Sequence, residues 1–157
     1  MDIGHDTMGI IIINSYALGA AVSAVSGIYS KDDAGNGATG DGNSKFTKTV
    51  GGSAQHDNAI LDPIEVQAGQ AVTVGLNGNW TGTATSIAWS VQEIDNGQGL
   101  ITGVSPSSGT SAGFDPVFTV SGSASGGDMA VYDITLDVTN SGGTTSKAWG
   151  GVTILIP

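Results

Sequence analysis

The 157-residue chain contains no cysteine and no arginine. Without cysteine it can form neither a disulfide framework nor a metal site built on thiolates. Four lysines stand against fourteen acidic residues, which gives a formal net charge of -10. A phosphate backbone and an anionic membrane surface would both repel such a chain. The composition therefore excludes nucleic acids and membrane surfaces as expected partners.

Charged residues make up only 11% of the chain and aromatic residues 6%, whereas there are 26 glycines. Stable helices would want more Glu, Lys, Leu and Ala, so this composition favours short strands and turns. No basic segment follows Met1, which argues against a secretory leader. The apolar stretch from Ile10 to Ile28 is interrupted by polar residues and makes a poor membrane span.

The clearest pattern in the sequence lies between Ala130 and Ser146. Hydrophobic and polar residues alternate along it, and this period of two is typical of a strand with one buried face. The hydrophobic positions are Tyr132, Ile134, Leu136 and Val138. Residues 140–143, Asn-Ser-Gly-Gly, tolerate positive φ and predict a tight turn into a second strand.

Similar short segments recur from Leu61 to the end of the chain, separated by Gly-, Asn- and Ser-rich turns. Strands at this spacing predict an all-β antiparallel sandwich. The predicted strands are Ile64–Gln67, Ala71–Leu76, Ser86–Ile94, Val117–Ser121, Ala130–Thr139 and Thr144–Ile156.

Three of these segments carry a resemblance to a known kind of module. AGQAVTV, IAWSV and VYDITLDVTNSGGTTS resemble the second strand, the third strand and the F–G hairpin of immunoglobulin-like or PKD-like β-sandwiches. The resemblance implies that Trp89 is the core tryptophan of the third strand. It also implies that Tyr132 takes the place of the tyrosine in a tyrosine corner. Such modules serve as spacers, adhesins and binding platforms, so the resemblance does not specify a function.

The first sixty residues differ in composition, and we expect residues 1–60 to form a glycine-rich N-terminal arm beside a sandwich domain of residues 61–157. Ile10–Ile13 reads as a buried strand, and Tyr16–Tyr29 fits either a helix or an extended segment. The stretch Lys31–Asn58 is polar and rich in glycine, and this predicts a long loop that gains order from contacts elsewhere.

Several patterns that could carry chemistry are better explained as loops. Gly109–Gly113 fits G-x-S-x-G and Gly35–Gly40 fits G-x-G-x-x-G, but neither joins a predicted strand to a helix. A further polar group could offer oxygen ligands to calcium, but it lacks the EF-hand spacing, so solvated turn residues are the preferred interpretation. This group comprises Asp32, Asp33, Asn36, Asp41 and Asn43. His5 and His56 would meet only through folding or assembly, and we expect no metal and no cofactor.

The three tryptophans, Trp80, Trp89 and Trp149, raise the alternative of a sugar-binding platform. Aromatic rings stack on sugars when they are exposed. Scattered tryptophans in a sandwich more often pack in the core or at its edge, which is the reading preferred for this chain.

With no catalytic constellation in view, the sequence predicts a protein that is not an enzyme. It resembles, in composition and architecture, the capsid decoration (cement) and head-fibre proteins of tailed bacteriophages. The resemblance implies a virion-surface protein, made in the host cytoplasm, that binds a major capsid protein or sister subunits in a homo-oligomer such as a trimer. The alternatives are a filament or pilus subunit joined by donor-strand exchange, and a carbohydrate-binding or adhesion module. The predicted assembly interface comprises Ile10, Ile11, Ile12, Ile13, Tyr16, Leu18, Val22, Val25 and Tyr29.

Overall fold

The computed structural model describes residues 19–40, 42–59 and 62–157. Twelve strands account for the regular structure of these residues. They are β1 Ser26–Lys31, β2 Lys45–Val50, β3 Ser53–Asn58, β4 Ile64–Glu65, β5 Ala71–Thr81, β6 Ser86–Asp95, β7 Ile101–Ser105, β8 Ser108–Gly109, β9 Gly113–Phe114, β10 Val117–Val120, β11 Met129–Asn140 and β12 Gly143–Leu155.

The strands form two sheets, and the predicted all-β sandwich is confirmed. The first sheet runs β3-β2-β5-β10-β7, with β1 and β9 also paired to β5; the second runs β4-β12-β11-β6-β8. All pairings are antiparallel except the short parallel one between β12 and β4. Four predicted strands match β6, β10, β11 and β12 with small differences at their ends, and β4 covers the first half of a fifth. The prediction that the strand from Ala71 ends at Leu76 was wrong, because β5 continues through Asn77–Asn79 to Thr81, where it pairs with β1.

The alternating residues of β11 explain why it lies at the centre of the second sheet. Ile134, Leu136 and Val138 are fully buried, whereas the residues between them are only partly covered. Burying each such side chain stabilises the fold by roughly 1.5–3 kcal/mol. The hydrophobic periodicity therefore predicted the strand and its buried face correctly.

Trp89 and Tyr132 both belong to the core, as predicted, with exposed fractions of 5% and 3%. The Trp89 ring stacks on Phe114 at 4.7 Å between centroids. The Tyr132 hydroxyl donates to a carboxylate oxygen of Glu93 at 3.1 Å, whereas the hydroxyl of a tyrosine corner bonds to the backbone. Burial, followed by this bond to Glu93, raises the pKa of Tyr132 well above its usual range.

The interpretation of Lys31–Asn58 as a long loop was wrong. Strands β2 and β3 form a hairpin inside this stretch, and β2 pairs with β5. Gly51 and Gly52 have φ values of 57° and 83°, so the two-residue turn is of the kind that matches the twist of a hairpin. Phe46 of β2 is buried and joins the core. Its partner strand β3 is polar on both faces, which is why no period of two was visible.

Of the segment left open between helix and extended chain, the described part is extended. Residues 19–25 have no regular structure, and Ser26–Lys31 is strand β1, paired with the end of β5. Val25, Ile28, Phe46 and Ala59 all belong to the same buried cluster as the strands of residues 62–157. That residues 61–157 fold without the preceding sixty residues stays a prediction.

Candidate functional site

The predicted assembly residues divide into those that the structure describes and those that it does not. Six of them, Ile10, Ile11, Ile12, Ile13, Tyr16 and Leu18, lie outside the described residues. Val22 is 57% exposed, Tyr29 is partly buried, and Val25 is buried in the core of its own chain. Of the described members, Val22 is therefore the one most available to a partner.

Residues 19–25, here called the anchor segment, contact the tip of the β11–β12 hairpin. The amide of Asn140 donates to the carbonyl of Ser23 at 2.9 Å, and the hydroxyl of Thr145 donates to the carbonyl of Val25 at 2.7 Å. A Cβ placed on Gly142 would lie 2.3 Å from the carbonyl oxygen of Val22. The turn glycine is thus required for the close approach of this backbone.

A separate cavity of about 490 Å³ opens on the first sheet. It is lined by the residues that follow β1, by β2 and by the middle of β5. Thr47, Thr49 and Thr73 contribute to its lining. Gly75 lets the Asp115 carboxylate lie close to β5, because a Cβ at Gly75 would be 2.8 Å from a carboxylate oxygen. Asp32, Asp33, Asp115 and Lys31 supply the charges around it. Such a lining suits a cation or a ligand rich in hydroxyl groups.

The acidic residues at this cavity are held by bonds within the chain. Asp32, whose side chain is inaccessible to solvent, accepts from the backbone N–H of Asn36 at 2.8 Å and from its amide at 2.9 Å. Burial opposes ionisation, but these bonds and the nearby His56 outweigh it, so the pKa of Asp32 lies below its ordinary value. The Thr47 hydroxyl donates to Asp33 at 2.8 Å.

His56 completes this group from the edge strand β3. Its Nδ1 lies 3.4 Å from Asp32 Oδ2 and 3.1 Å from Asp33 Oδ1. The three possible ligand atoms of Asp32, Asp33 and His56 lie within 4.8 Å of one another. A nitrogen and two carboxylate oxygens in this arrangement could hold a divalent cation.

The structure thus brings together Asp32 and Asp33, two of the residues weighed as oxygen ligands, and one of the two histidines, His56. The side-chain amide of Asn36 donates to Asp32, and the N–H of Asn43 donates to the carbonyl of Gly40. Asp41 and His5 are outside the described residues. No sequence pattern indicates the approach of His56, because that approach depends on the β2–β3 hairpin, and the composition of this segment predicts a loop.

The tryptophans do not form a sugar platform. Trp149 is 1% exposed and Trp89 is 5% exposed, and Trp80 packs partly against the core. The indole nitrogens of Trp89 and Trp149 are buried without a hydrogen-bond partner. The observation that would have favoured a carbohydrate-binding module, exposed Trp80 and Trp149 on one face, is not found.

Both motif matches lie in loops and short strands, as expected. Gly35, Gly37 and Gly40 all have positive φ in the connection between β1 and β2. The Ser111 hydroxyl donates to the carbonyl of Gly113 at 2.5 Å. Gly109 packs on Trp89, since a Cβ there would lie 2.6 Å from the indole nitrogen. The glycine that starts G-x-S-x-G is therefore explained by packing.

The described residues contain no helix that could cross a membrane. The chain matches no protein-family model, no curated protein and no solved structure.

Proposed function

We propose that this chain is a non-catalytic structural subunit of a virion, a capsid decoration or head-fibre protein that binds its neighbours through its N-terminal segment. The observation that carries the proposal is the anchor segment, which joins the preceding residues to a fixed point on the sandwich. The expected partners are a major capsid protein or sister subunits in a homo-oligomer. The expected location is the virion surface, after synthesis in the host cytoplasm.

The fixed point matters because it sets where a binding segment would begin. The carbonyls of Ser23 and Val25 are both held by side chains of the β11–β12 hairpin, and Gly142 lets the backbone approach. Val22, immediately before this contact, is exposed. A partner that captures residues before Val22 would therefore be held in a defined position relative to the sandwich.

The chemistry of the segment supports an apolar contact. Ile10–Ile13 is a run of four isoleucines in a chain with a net charge of -10. Burying each against a partner would contribute roughly 1.5–3 kcal/mol before the entropy of association is subtracted. An apolar contact resists high salt, whereas a contact through the acidic surface would respond to it.

The strand order supports the resemblance to immunoglobulin-like modules. In such modules strands B, E and D are neighbours in one sheet and C, F and G in the other. Here β5-β10-β7 and β6-β11-β12 are neighbours in the same sense. A sandwich of this kind can be displayed outward while its N-terminal segment binds the shell.

The test of the arm is the double variant Ile11→Asp/Ile13→Asp, with Ile11→Val/Ile13→Val as the matched control. The aspartate variant should lose assembly, measured by sedimentation velocity and by cosedimentation with capsids, while the melting temperature of the sandwich stays unchanged. The valine control should assemble normally. Normal assembly of the aspartate variant would mean that the binding surface lies elsewhere.

The virion assignment needs its own measurement. Mass spectrometry of virions and of surface filaments, each purified from the source of this sequence, should find peptides of the chain in the virions. Peptides confined to filaments would contradict the proposal and favour the donor-strand alternative.

A further inference from the structure

The two sheets end in edges that are protected to different degrees. Unpaired N–H and C=O groups on an edge strand can pair with another chain, and proteins usually cover or interrupt them. On β7 the Asn96 side chain occupies both main-chain groups of Ile101, at 2.8 and 3.0 Å. Strand β4 has only two residues and follows Pro63. The outer side of β6 is covered in part by β8, and Val91 donates to Ser107 there.

Strand β3 has such protection only at its last residue, where the Asn58 N–H donates to Asp57 Oδ1 at 3.1 Å. It contains six residues, no proline and no bulge in its register with β2. In a hairpin with a two-residue turn, the residues on either side of the turn form a hydrogen-bonded pair, and here these are Val50 and Ser53. At the open end of the hairpin, the N–H of Ala59 donates to the carbonyl of Ser44. The pairs between them alternate, so Ala54 and His56 direct both their N–H and C=O groups outward, and Asn58 directs its C=O outward. No strand of the described part of the chain pairs with that side.

The hairpin also differs from the rest of the chain in charge. Residues 45–58 contain two lysines, Lys45 and Lys48, and one aspartate, Asp57, which gives a net charge of +1. Because the whole chain has a net charge of -10, the residues outside this hairpin carry a net charge of -11. Two copies of this acidic chain repel each other least where they meet through this hairpin.

We propose that β3 pairs with β3 of a second copy, antiparallel and across a two-fold axis, so that the two first sheets become continuous. Such an interface is isologous, with the same residues contributed by both copies. The outward N–H and C=O groups of the two β3 strands face each other when the two-fold axis passes beside Gln55 or beside His56. Neither register places Asp57 opposite its own copy, so no pair of like carboxylates opposes the contact.

A second copy fits this edge better than the isoleucine run of an arm. All the residues of β3 except Asp57 are exposed, and both faces are polar, so isoleucines beside them would gain little apolar cover. An identical polar strand needs only the main-chain bonds. The inference goes beyond the proposed function, because it uses a surface other than the N-terminal segment and holds or fails without it.

The first experiment follows amide hydrogen exchange in the full chain at low and high protein concentration. The amides of Ala54 and His56 should become protected as concentration rises. Those of Gln55 and Asp57, which already bond to β2, should change little. Sedimentation equilibrium should show mass approaching twice the 15.5 kDa of one chain. A monomer at every soluble concentration, or unchanged exchange at Ala54 and His56, would overturn the proposal.

The second experiment compares Ala54→Pro with Ala54→Val. Proline removes an N–H that points away from β2, a position where an edge strand tolerates it, and valine keeps that N–H. The proline variant should weaken the dimer at least tenfold while its β2 amides stay protected, and the valine variant should dimerise as the parent does. Dimerisation unaffected by proline but lost in Ile11→Asp/Ile13→Asp would assign the contact to the N-terminal segment and refute the β3 pairing.

Discussion

The β11–β12 hairpin and the β2–β3 hairpin have the same construction, two antiparallel strands and a two-residue turn, but occupy opposite positions in the fold. The first runs through the middle of the second sheet, and alternate residues of β11 are buried. The second forms the edge of the first sheet, and none of the residues of β3 is buried. A central hairpin is stabilised by its own apolar face, whereas an edge hairpin depends on a few anchors.

Those anchors can be named. Phe46 is 4% exposed and joins the core from β2. Lys48 pairs with Asp57 across the hairpin at 2.8 Å, and His56 lies against the two aspartates that follow β1. We therefore expect the centre of the molecule to respond strongly to single apolar substitutions and the edge to respond mainly at Phe46.

The largest effect is expected for Trp89→Ala in the centre. Removing a large buried aromatic side chain costs about 3–5 kcal/mol, and here the stack on Phe114 is also lost. Chemical denaturation should show this loss in the free energy of unfolding. Val22→Ala, at an exposed position, is the control and should change little. A wild-type stability for Trp89→Ala would mean that the ring is not part of the core.

The comparison is sharpened by Phe46→Ala on the edge hairpin. Because Phe46 packs in the same cluster as the central strands, its loss should lower the stability of the whole sandwich by about 3 kcal/mol, at the lower end of the range for a buried phenylalanine.

A single, shifted unfolding transition would show that the hairpin and the centre unfold together. If instead the main transition of Phe46→Ala is unchanged and only residues 45–58 lose amide protection, the boundary near residue 60 separates two folding units. The same variant thus tests the predicted division of the chain.

A smaller effect is expected for Gly142→Ala at the tip of the central hairpin. The new Cβ would displace the anchor segment and weaken the bonds from Asn140 to Ser23 and from Thr145 to Val25, at about 1 kcal/mol each. Chemical denaturation should show this loss in the free energy of unfolding. Ser141→Ala, in the same turn, serves as the control. A stability equal to that of the parent would contradict the role assigned to Gly142.

The smallest effect concerns pH and the pair of Asp57 with Lys48. The hydrogen bond from Lys48 lowers the pKa of Asp57 in the folded chain from its ordinary value of 3.8. A lowered folded pKa stabilises the protein above the unfolded pKa, and this contribution is lost as the pH falls through the folded value. The difference in melting temperature between the parent and Asp57→Asn should therefore shrink below pH 4, approximately.

Asp62→Asn, at an exposed carboxylate, provides the control for general charge effects. A difference between the parent and Asp57→Asn that persists unchanged at pH 2 to 3, roughly, would show that ionisation of Asp57 is not the cause.

How far the fold could be predicted follows from the same contrast. In β11 the sequence alternates because one face is buried, so Ile134, Leu136 and Val138 indicate both the strand and its orientation. In β3 neither face needs apolar residues, and Ser53–Asn58 looks like a loop until β2 is placed beside it. Pairing with another strand was the missing information, and composition does not contain it.

The candidate site shows the same limit. The sequence identifies the aspartates after β1 as possible ligands. The burial of Asp32 and the approach of His56 depend on the β2–β3 hairpin, which no sequence pattern predicts. Gly75 and Asp115 both line the cavity. Gly75 belongs to β5, and Asp115 lies between β9 and β10. Only the tertiary structure brings these positions together.

Gly109 and Trp89 carry a consequence for sequence change. A Cβ at position 109 would lie within 2.6–2.9 Å of three atoms of the indole ring, too close for the ring to remain where it is. A side chain at 109 therefore requires a smaller residue at 89, and a ring as large as indole at 89 requires glycine at 109. The two positions should vary as a pair in any set of related sequences, although twenty residues separate them in the chain.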